Sequence, residues 1–287
     1  MRAETRRRWA IAGLTGPAYL WLTLTIFLPL SAMLWFSFQR KGPFGRHETE
    51  FTLKHYEAFF TKDYLQDLTW RSLEMGLQVT VICLILGFPA AYVLAKRIKG
   101  RWREALFLLI VLPFWSNALV RIFSWTVVLR PGGVLDSAVQ SVFPGAPSID
   151  LADSWSAVII GLVHSYLPYM ILTCYLSLQA IDDSLIEAAR SLGASALTIL
   201  WRIVLPLAIP GLAAGAVLIF VPVIGSFFEP KLLGGTQGVV IGTVIEEQFT
   251  VVSNWPLGGA LSFILLAIVL LILALAYPLL KNHMRTT

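Results

Sequence analysis

Apolar residues fall in long runs separated by short charged segments. A helix of about 20 apolar residues crosses the ~30 Å hydrocarbon core of a bilayer. Six runs meet that length, at residues 12–38, 75–95, 105–128, 156–178, 205–228 and 258–280. The first lies in an uncharged stretch of 31 residues, Trp9 to Gln39, behind a basic start with Arg2, Arg6, Arg7 and Arg8. A signal peptide also starts basic, but its apolar core is only about 7–15 residues. An uncleaved first helix with a cytoplasmic N-terminus is therefore expected.

Six spans return the C-terminus to the same side, with Lys281 and Arg285 as its anchors. The inner segments are then 1–8, 96–104, 179–204 and 281–287, and they hold 13 of the 22 Lys and Arg in 50 residues. The tightest cluster, Lys96, Arg97, Lys99, Arg101 and Arg103, lies in a short loop, where the positive-inside rule has most force. The outer loop from Arg40 to Glu74 is balanced, with six basic and six acidic residues. Within it, Phe51–Leu73 mixes aromatics and charges at near-helical spacing. That pattern predicts an interfacial helix under the outer leaflet, with a docking surface as the other reading.

Composition narrows the class. Hydrophobic residues make up 57% of the 287 and charged residues 14%, against roughly 45–50% and about 25% in a soluble domain. Mean hydropathy is +0.73. These values exclude a water-soluble enzyme and a disordered chain. The net charge of +5 does not point to nucleic acid, because the basic residues sit at the ends of apolar runs. Cys83 and Cys174 lie inside apolar runs and read as small buried hydrophobes. His47, His55, His164 and His283 lack metal-ligand spacing, so no metal site is expected. Prolines 17, 29, 89, 113, 168, 210 and 222 fall inside spans and permit kinks. Gly211-Leu-Ala-Ala-Gly215 allows close helix contact.

The inner segment between spans four and five is long for a helix connection. Ser184 and Glu187 read as a capping box after Asp182 and Asp183, opening a helix over Leu185–Leu192. Gly193 sits where a left-handed terminating residue belongs. Ser195 can cap a second helix running through Trp201 and Arg202 toward Pro206. Ala188 and Ala189 bury little surface and let a partner approach closely. Eight helical residues span about 12 Å, a size that can seat in a partner's cleft.

These residues carry a resemblance. Glu187, Ala188, Ala189, then Gly193, then Ile203, Leu205 and Pro206 have the residue types and spacing of the EAA loop of ABC importer permeases. The local alternative makes Glu187 only a cap or an i,i+3 partner of Arg190. The resemblance implies a coupling helix seated in a cytoplasmic ATPase subunit. The chain has no Gly-Lys dipeptide, hence no Walker A phosphate loop. Leu233-Gly-Gly-Thr-Gln237 is faintly similar to the ABC signature but falls on the outer side.

Further motifs narrow the family. Pro113-Phe-Trp-Ser-Asn-Ala-Leu-Val-Arg121-Ile-Phe-Ser-Trp125 is similar to the P-F-W-x-S-x-L-V-R-x-x-x-W pattern of the spermidine/putrescine importer group. Phe227-Phe-Glu229-Pro-Lys231-Leu-Leu-Gly-Gly235 and Asn254-Trp255-Pro-Leu-Gly-Gly-Ala-Leu-Ser262 resemble two more of its motifs. They look like the first permease subunit of that group, the PotB-like type, within the MetI-like permease family.

The implied fold is an all-α polytopic membrane protein with six transmembrane helices and both termini cytoplasmic. The implied division is 1–74 (first helix and outer loop), 75–280 (permease core with a coupling loop at 179–206) and 281–287 (tail). The implied role is alternating access in a bacterial inner membrane. Two ATPase subunits, a second permease, an external binding protein and membrane lipid would be its partners, with no cofactor, no catalytic residue and no nucleic acid.

A polyamine path should offer carboxylates and aromatic faces to a cation. Glu229, Trp125 and Trp255 are candidates, though tryptophans near span ends also form interface belts. Arg121 and Lys231 would repel a polycation unless paired, and Arg121 reads equally as a residue snorkelling to the interface. Opines and amino-acid derivatives are the alternative cargo. Three rival classes remain: a secondary transporter, which needs mid-span carboxylates that these spans lack; an intramembrane enzyme around His164, Ser165 and Tyr166; and a scaffold.

Overall fold

A computed structural model describes residues 2–41 and 47–284. Arg46 and the expected anchor Arg285 lie outside the described residues. Helix α1, Arg2–Ser37, is followed by a hairpin of β1, Gln39–Lys41, and β2, His47–Phe51. Then come α2, Lys54–Thr61, and α3, Asp63–Tyr92, which ends in a π-turn at Val93–Arg97. Helix α4, Arg101–Val111, runs through a 3-10 turn, Leu112–Trp115, to α5, Ala118–Leu129, and α6, Val134–Val142. Helix α7 is Trp155–Gln179, α8 is Asp183–Ser191 and α9 is Ala196–Ile199; a second π-turn, Leu200–Val204, leads into α10, Leu205–Ile224. Short α11, Phe228–Leu233, precedes α12, Ile241–Thr250, and α13, Trp255–Met284.

Among the described residues six stretches are long and apolar enough to cross a membrane: Thr15–Ser37, Asp63–Arg97, Ala118–Val142, Trp155–Gln179, Ala196–Ile224 and Trp255–Pro278. The all-α, six-span class therefore stands, but two spans differ from the hydropathy reading. The second begins at Asp63, because the polar, aromatic segment read as a separate interfacial helix is divided between α2 and the start of α3. The third is broken. Pro113 has no N–H to donate, and Ser116 and Asn117 turn extended, with ψ of 145° and 132°. Asn117 then caps the restarted helix by accepting from the Leu119 N–H at 2.8 Å. The apolar stretch continues through α6 and takes in Asp136 near its end. Asp136 is tied there by the N–H groups of Gly132 (2.9 Å) and Ile149 (3.0 Å) and by Ser148 Oγ (3.0 Å).

The chain divides into two units. The first comprises residues 1–63 and 245–267. In it Phe38 stacks on Phe51 and Tyr56, Ser37 Oγ lies 2.7 Å from Tyr56 Oη, and Trp255 meets Phe36 and Phe249 edge-on.

The second unit, 64–244 and 268–287, has its core where α3, α7 and α10 meet. Met75, Val79 and Cys83 pack with Leu162, Met170, Cys174 and Leu178, and with Ala208, Ile219 and Val223. The two cysteines are free thiols in this core. Gly211 and Gly215 make the α10–α7 contact possible. A Cβ on Gly215 would stand 2.5 Å from Thr173 Oγ1 and 2.7 Å from Met170 Sδ, and one on Gly211 would meet Ser177 and the Thr173 carbonyl. The small-residue motif is thus a packing device. At one end of this unit the Arg71 guanidinium lies over the Trp155 ring, 4.7 Å from its centroid, and Trp155 Nε1 donates to Gln78 at 3.0 Å.

Candidate functional site

The residues of the EAA-like segment form a hairpin of two short helices. The capping residue of α8 is Asp182, not Ser184. Its carboxylate accepts from the Ser184 N–H at 2.9 Å, so the helix starts two residues earlier than the capping-box reading placed it. The reason is local: Asp182 takes the extended backbone of a cap (φ −66°, ψ 129°), leaving Asp183 and Ser184 inside the first turn.

The other end of α8 follows the sequence. Gly193 has φ +80°. The Gly193 N–H donates to the Arg190 carbonyl and the Ala194 N–H to the Ala189 carbonyl, at 2.9 and 3.0 Å, which is the Schellman pattern. Ser195 then caps α9 by accepting from the Thr198 N–H at 3.2 Å. Helix α9 passes without interruption through the π-turn into α10, so the hairpin and span five are one continuous piece.

One side of the hairpin is inward and one is bare. Ile186, Ile199 and Val204 are buried. Glu187 and Ala188 are exposed and Ala189 is half-buried. Around them Leu185, Leu192, Leu197 and Trp201 are 49, 88, 65 and 61% exposed, an apolar surface unusual for a loop between spans. Among the described residues the Glu187 carboxylate makes no hydrogen bond or ion pair, so neither local role suggested for it is present. Ile203, Leu205 and Pro206 are half-buried at the junction with α10.

A residue that the charge pattern treats only as a topology marker is also part of this site. Lys96, in the π-turn ending span two, donates to the Ile181 carbonyl at 2.6 Å and pairs with Asp183 Oδ1 at 2.7 Å. Its side chain is 7% exposed, while that of Asp183 is 65% exposed. The Lys96 hydrogen bond is the main cause that holds the Asp183 carboxyl below its ordinary range, and the Ser184 N–H does the same for Asp182. Tyr92, Lys96, Arg97, Ile186, Glu187 and Arg190 line a cavity of about 100 Å³ at this junction. Five clustered basic residues read as membrane topology gave no sign that one of them reaches across to α8.

Within the second unit, three of the expected pathway residues line adjoining cavities. Arg121 and Glu229 line one cavity of about 280 Å³ with Phe114, Ser165, Tyr166 and Tyr169. Arg121 also lines a second, of about 360 Å³, with Trp125 and His164, whose rings meet edge-on at 5.3 Å. The break in span three positions Arg121. The Pro113 carbonyl left at the helix end accepts from Arg121 Nη1 at 3.2 Å. Arg121 Nε is buried with no partner. Glu229, in α11, is buried and accepts from Ser226 Oγ at 2.6 Å. No ion pair joins Arg121 to Glu229 among the described residues. Trp255 lies in the other unit, against Phe36 and Phe249. Tyr169 went unread as a site residue, and Tyr166 was read only with His164 and Ser165 in the rival enzyme cluster, because aromatics one turn apart in an apolar helix look like core. Among the described residues no group of three or more His, Cys, Asp or Glu side chains could hold a metal ion.

The chain is similar to known transport proteins along most of its length. Residues 84–285 match the family described as "Binding-protein-dependent transport system inner membrane component". The spermidine/putrescine transport system permease protein PotB of Haemophilus influenzae is 36% identical over 90% of this chain and 89% of its own length. That of Escherichia coli is 38% identical over 90% and 92%. The inner membrane ABC transporter permease protein YdcU of Escherichia coli is 31% identical over 92% and 87%. Among solved structures, a bacterial ABC transporter involved in the import of the acidic polysaccharide alginate has the same fold. It matches with TM-score 0.76 over 98% of both chains at 18% identity.

Proposed function

The chain belongs to the family of binding-protein-dependent transport system inner membrane components and is a multi-pass inner-membrane permease of an ABC importer; from that premise we propose that its cargo is a polyamine. The observation that carries the substrate is the 36–38% identity along nine-tenths of the chain to permeases named for spermidine and putrescine. The chain is a transport component, and the ATP is hydrolysed on a partner.

The proposed assembly pairs this permease with a second one, both termini cytoplasmic, above two ATPase subunits and below an external binding protein. Its parts are the first helix and outer loop (1–74), the permease core (75–280) and the tail (281–287). Glu187, Ala188, Ala189 and Gly193 present α8 to a groove in the ATPase. Ile203, Leu205 and Pro206 join the hairpin to span five. The bare Leu185, Leu192, Leu197 and Trp201 are the surface that docking covers. When ATP closes the ATPase dimer, α8 moves with it, the α9–α10 piece carries the motion into the membrane, and the spans rock to open outward. Hydrolysis resets them. Arg121, Trp125, Glu229 and Trp255 are the proposed pathway residues.

A second reading keeps the mechanism and changes the cargo to an opine or amino-acid derivative. Arg121 in the same cavity as Glu229 favours it, since a carboxylate on the cargo would answer the guanidinium. Uptake of radiolabelled spermidine and putrescine in host cells, with the gene intact and deleted, decides between them. Loss on deletion, restored by the intact chain but not by Glu187→Ala, supports the polyamine importer. Unchanged uptake in cells without another polyamine importer overturns the polyamine cargo.

A further inference from the structure

The cavity between α5, α7 and α11 has a composition suited to one chemical group. Its wall holds a buried carboxylate, Glu229, and three aromatic rings, Phe114, Tyr166 and Tyr169. Phe114 and Tyr169 have centroids 4.5 Å apart, and Tyr166 and Tyr169 6.0 Å apart. Of the two carboxylate oxygens, Oε2 accepts from Ser226. The other has no hydrogen-bond donor among the described residues. Ser165 Oγ, buried on the same wall, has no partner either. A hydroxyl that can accept, a carboxylate with an open oxygen and adjacent ring faces are what a primary ammonium takes. Its three N–H groups need acceptors, and its charge is favoured over a π face. At about 280 Å³ the cavity has room for a small amine, so charge and not volume sets how many ammonium groups it takes.

Arg121 limits what enters. Its guanidinium lines the cavity and donates to the Pro113 carbonyl at 3.2 Å. A second ammonium in the same cavity would face Arg121 as well as Glu229. Like charges close together in a poorly solvated site repel strongly.

We propose that Glu229, Ser165, Tyr166, Tyr169 and Phe114 form a single-ammonium subsite within the permease itself, with Arg121 excluding a second positive charge. A polyamine would then be handed in end-on, one amine at a time. The end-on passage rests on the polyamine reading above; the subsite does not.

The test is equilibrium binding of radiolabelled n-butylamine and putrescine to the assembled permease–ATPase complex without its binding protein. Both are expected to bind saturably, with butylamine at least as tight as putrescine. Glu229→Gln should weaken both at least tenfold. Tyr169→Leu, at a ring 39% exposed and so tolerant of change, should weaken both by a smaller factor. Arg121→Gln should shift preference toward putrescine. Failure of both amines to bind, or binding indifferent to Glu229→Gln and Tyr169→Leu in a folded complex, overturns the subsite. Binding of both amines by an importer that takes up no putrescine would keep the subsite and overturn the polyamine cargo.

Discussion

Lys96 Nζ lies 2.7 Å from Asp183 Oδ1, so the last turn of span two is bonded to the first turn of α8. The two elements are 87 residues apart in sequence. An ion pair with one exposed partner contributes little to stability. If α8 moves on ATPase closure as proposed, the bond would hand that motion to α3 as well as to α10.

Replacing Lys96 by Gln should therefore leave insertion and thermal stability nearly unchanged. ATP hydrolysis stimulated by the loaded binding protein should fall several-fold in reconstituted importer. The pair should also be insensitive to pH in the working range. The Asp183 pKa is depressed when folded. Its stabilisation is therefore full above the ordinary carboxylate value, near 3.8, and is lost only as pH falls through the lowered one. A stimulated rate equal to wild type in Lys96→Gln would show that the bond carries no motion.

Glu187→Ala and Gly193→Asp separate contact from shape. The Glu187 carboxylate makes no hydrogen bond or ion pair among the described residues, so its loss should change stability by less than about 0.5 kcal/mol. ATPase lost from the Glu187→Ala complex would thus be lost by direct contact. Gly193 holds φ +80° with open space around it, so a side chain strains the backbone by about 1–2 kcal/mol without any clash. That strain should distort the turn between α8 and α9. Both variants should insert normally and co-purify with less ATPase. Normal co-purification in both would sink the coupling assignment.

What the sequence made legible follows from which interactions are local. Gly193 as a helix stop and Ser195 as a cap are decided within five residues, and both are seen. The six spans were legible because a bilayer demands length and apolarity from each independently. The break in span three was half legible. Pro113 marks it, but the restart depends on Asn117 turning its side chain back to Leu119, one of several turn options open to that sequence. The choice of Asp182 over Ser184 as cap is equally fine-grained. Non-local pairings were not legible at all. Nothing near Lys96 names Asp183, and nothing near Tyr169 names Glu229.

The contact between α7 and α10 should be intolerant of volume. Gly215→Leu would push a side chain into Thr173 and Met170, and overpacking of this kind costs about 1–3 kcal/mol. Ala214 is exposed beside it, so Ala214→Leu adds the same side chain where nothing resists. Thermal unfolding in detergent should show a lower Tm for Gly215→Leu and little change for Ala214→Leu. Equal Tm values would mean that the two helices can separate without loss.

The outer hairpin and α2 should loosen in mild acid because of His55. Its Nε2 lies 3.1 Å from the Gln39 carbonyl, which fits a neutral ring donating that N–H. Burial pushes the His55 pKa below its ordinary 6.5, and the Lys54 charge acts the same way, only partly opposed by the hydrogen bond to Gln39. The unfolded segment therefore takes up the proton first as pH falls. Stability is full above about 6.5 and declines from there toward the lowered folded value. Hydrogen exchange of the amides from Thr52 to Lys62, corrected for the intrinsic rate, should show less protection at pH 5.5 than at pH 7.5. His55→Gln keeps a donor near Gln39 but has no proton to gain, so it should remove the difference. Equal protection at both pH values in the unaltered chain would mean that this ring is not held away from water.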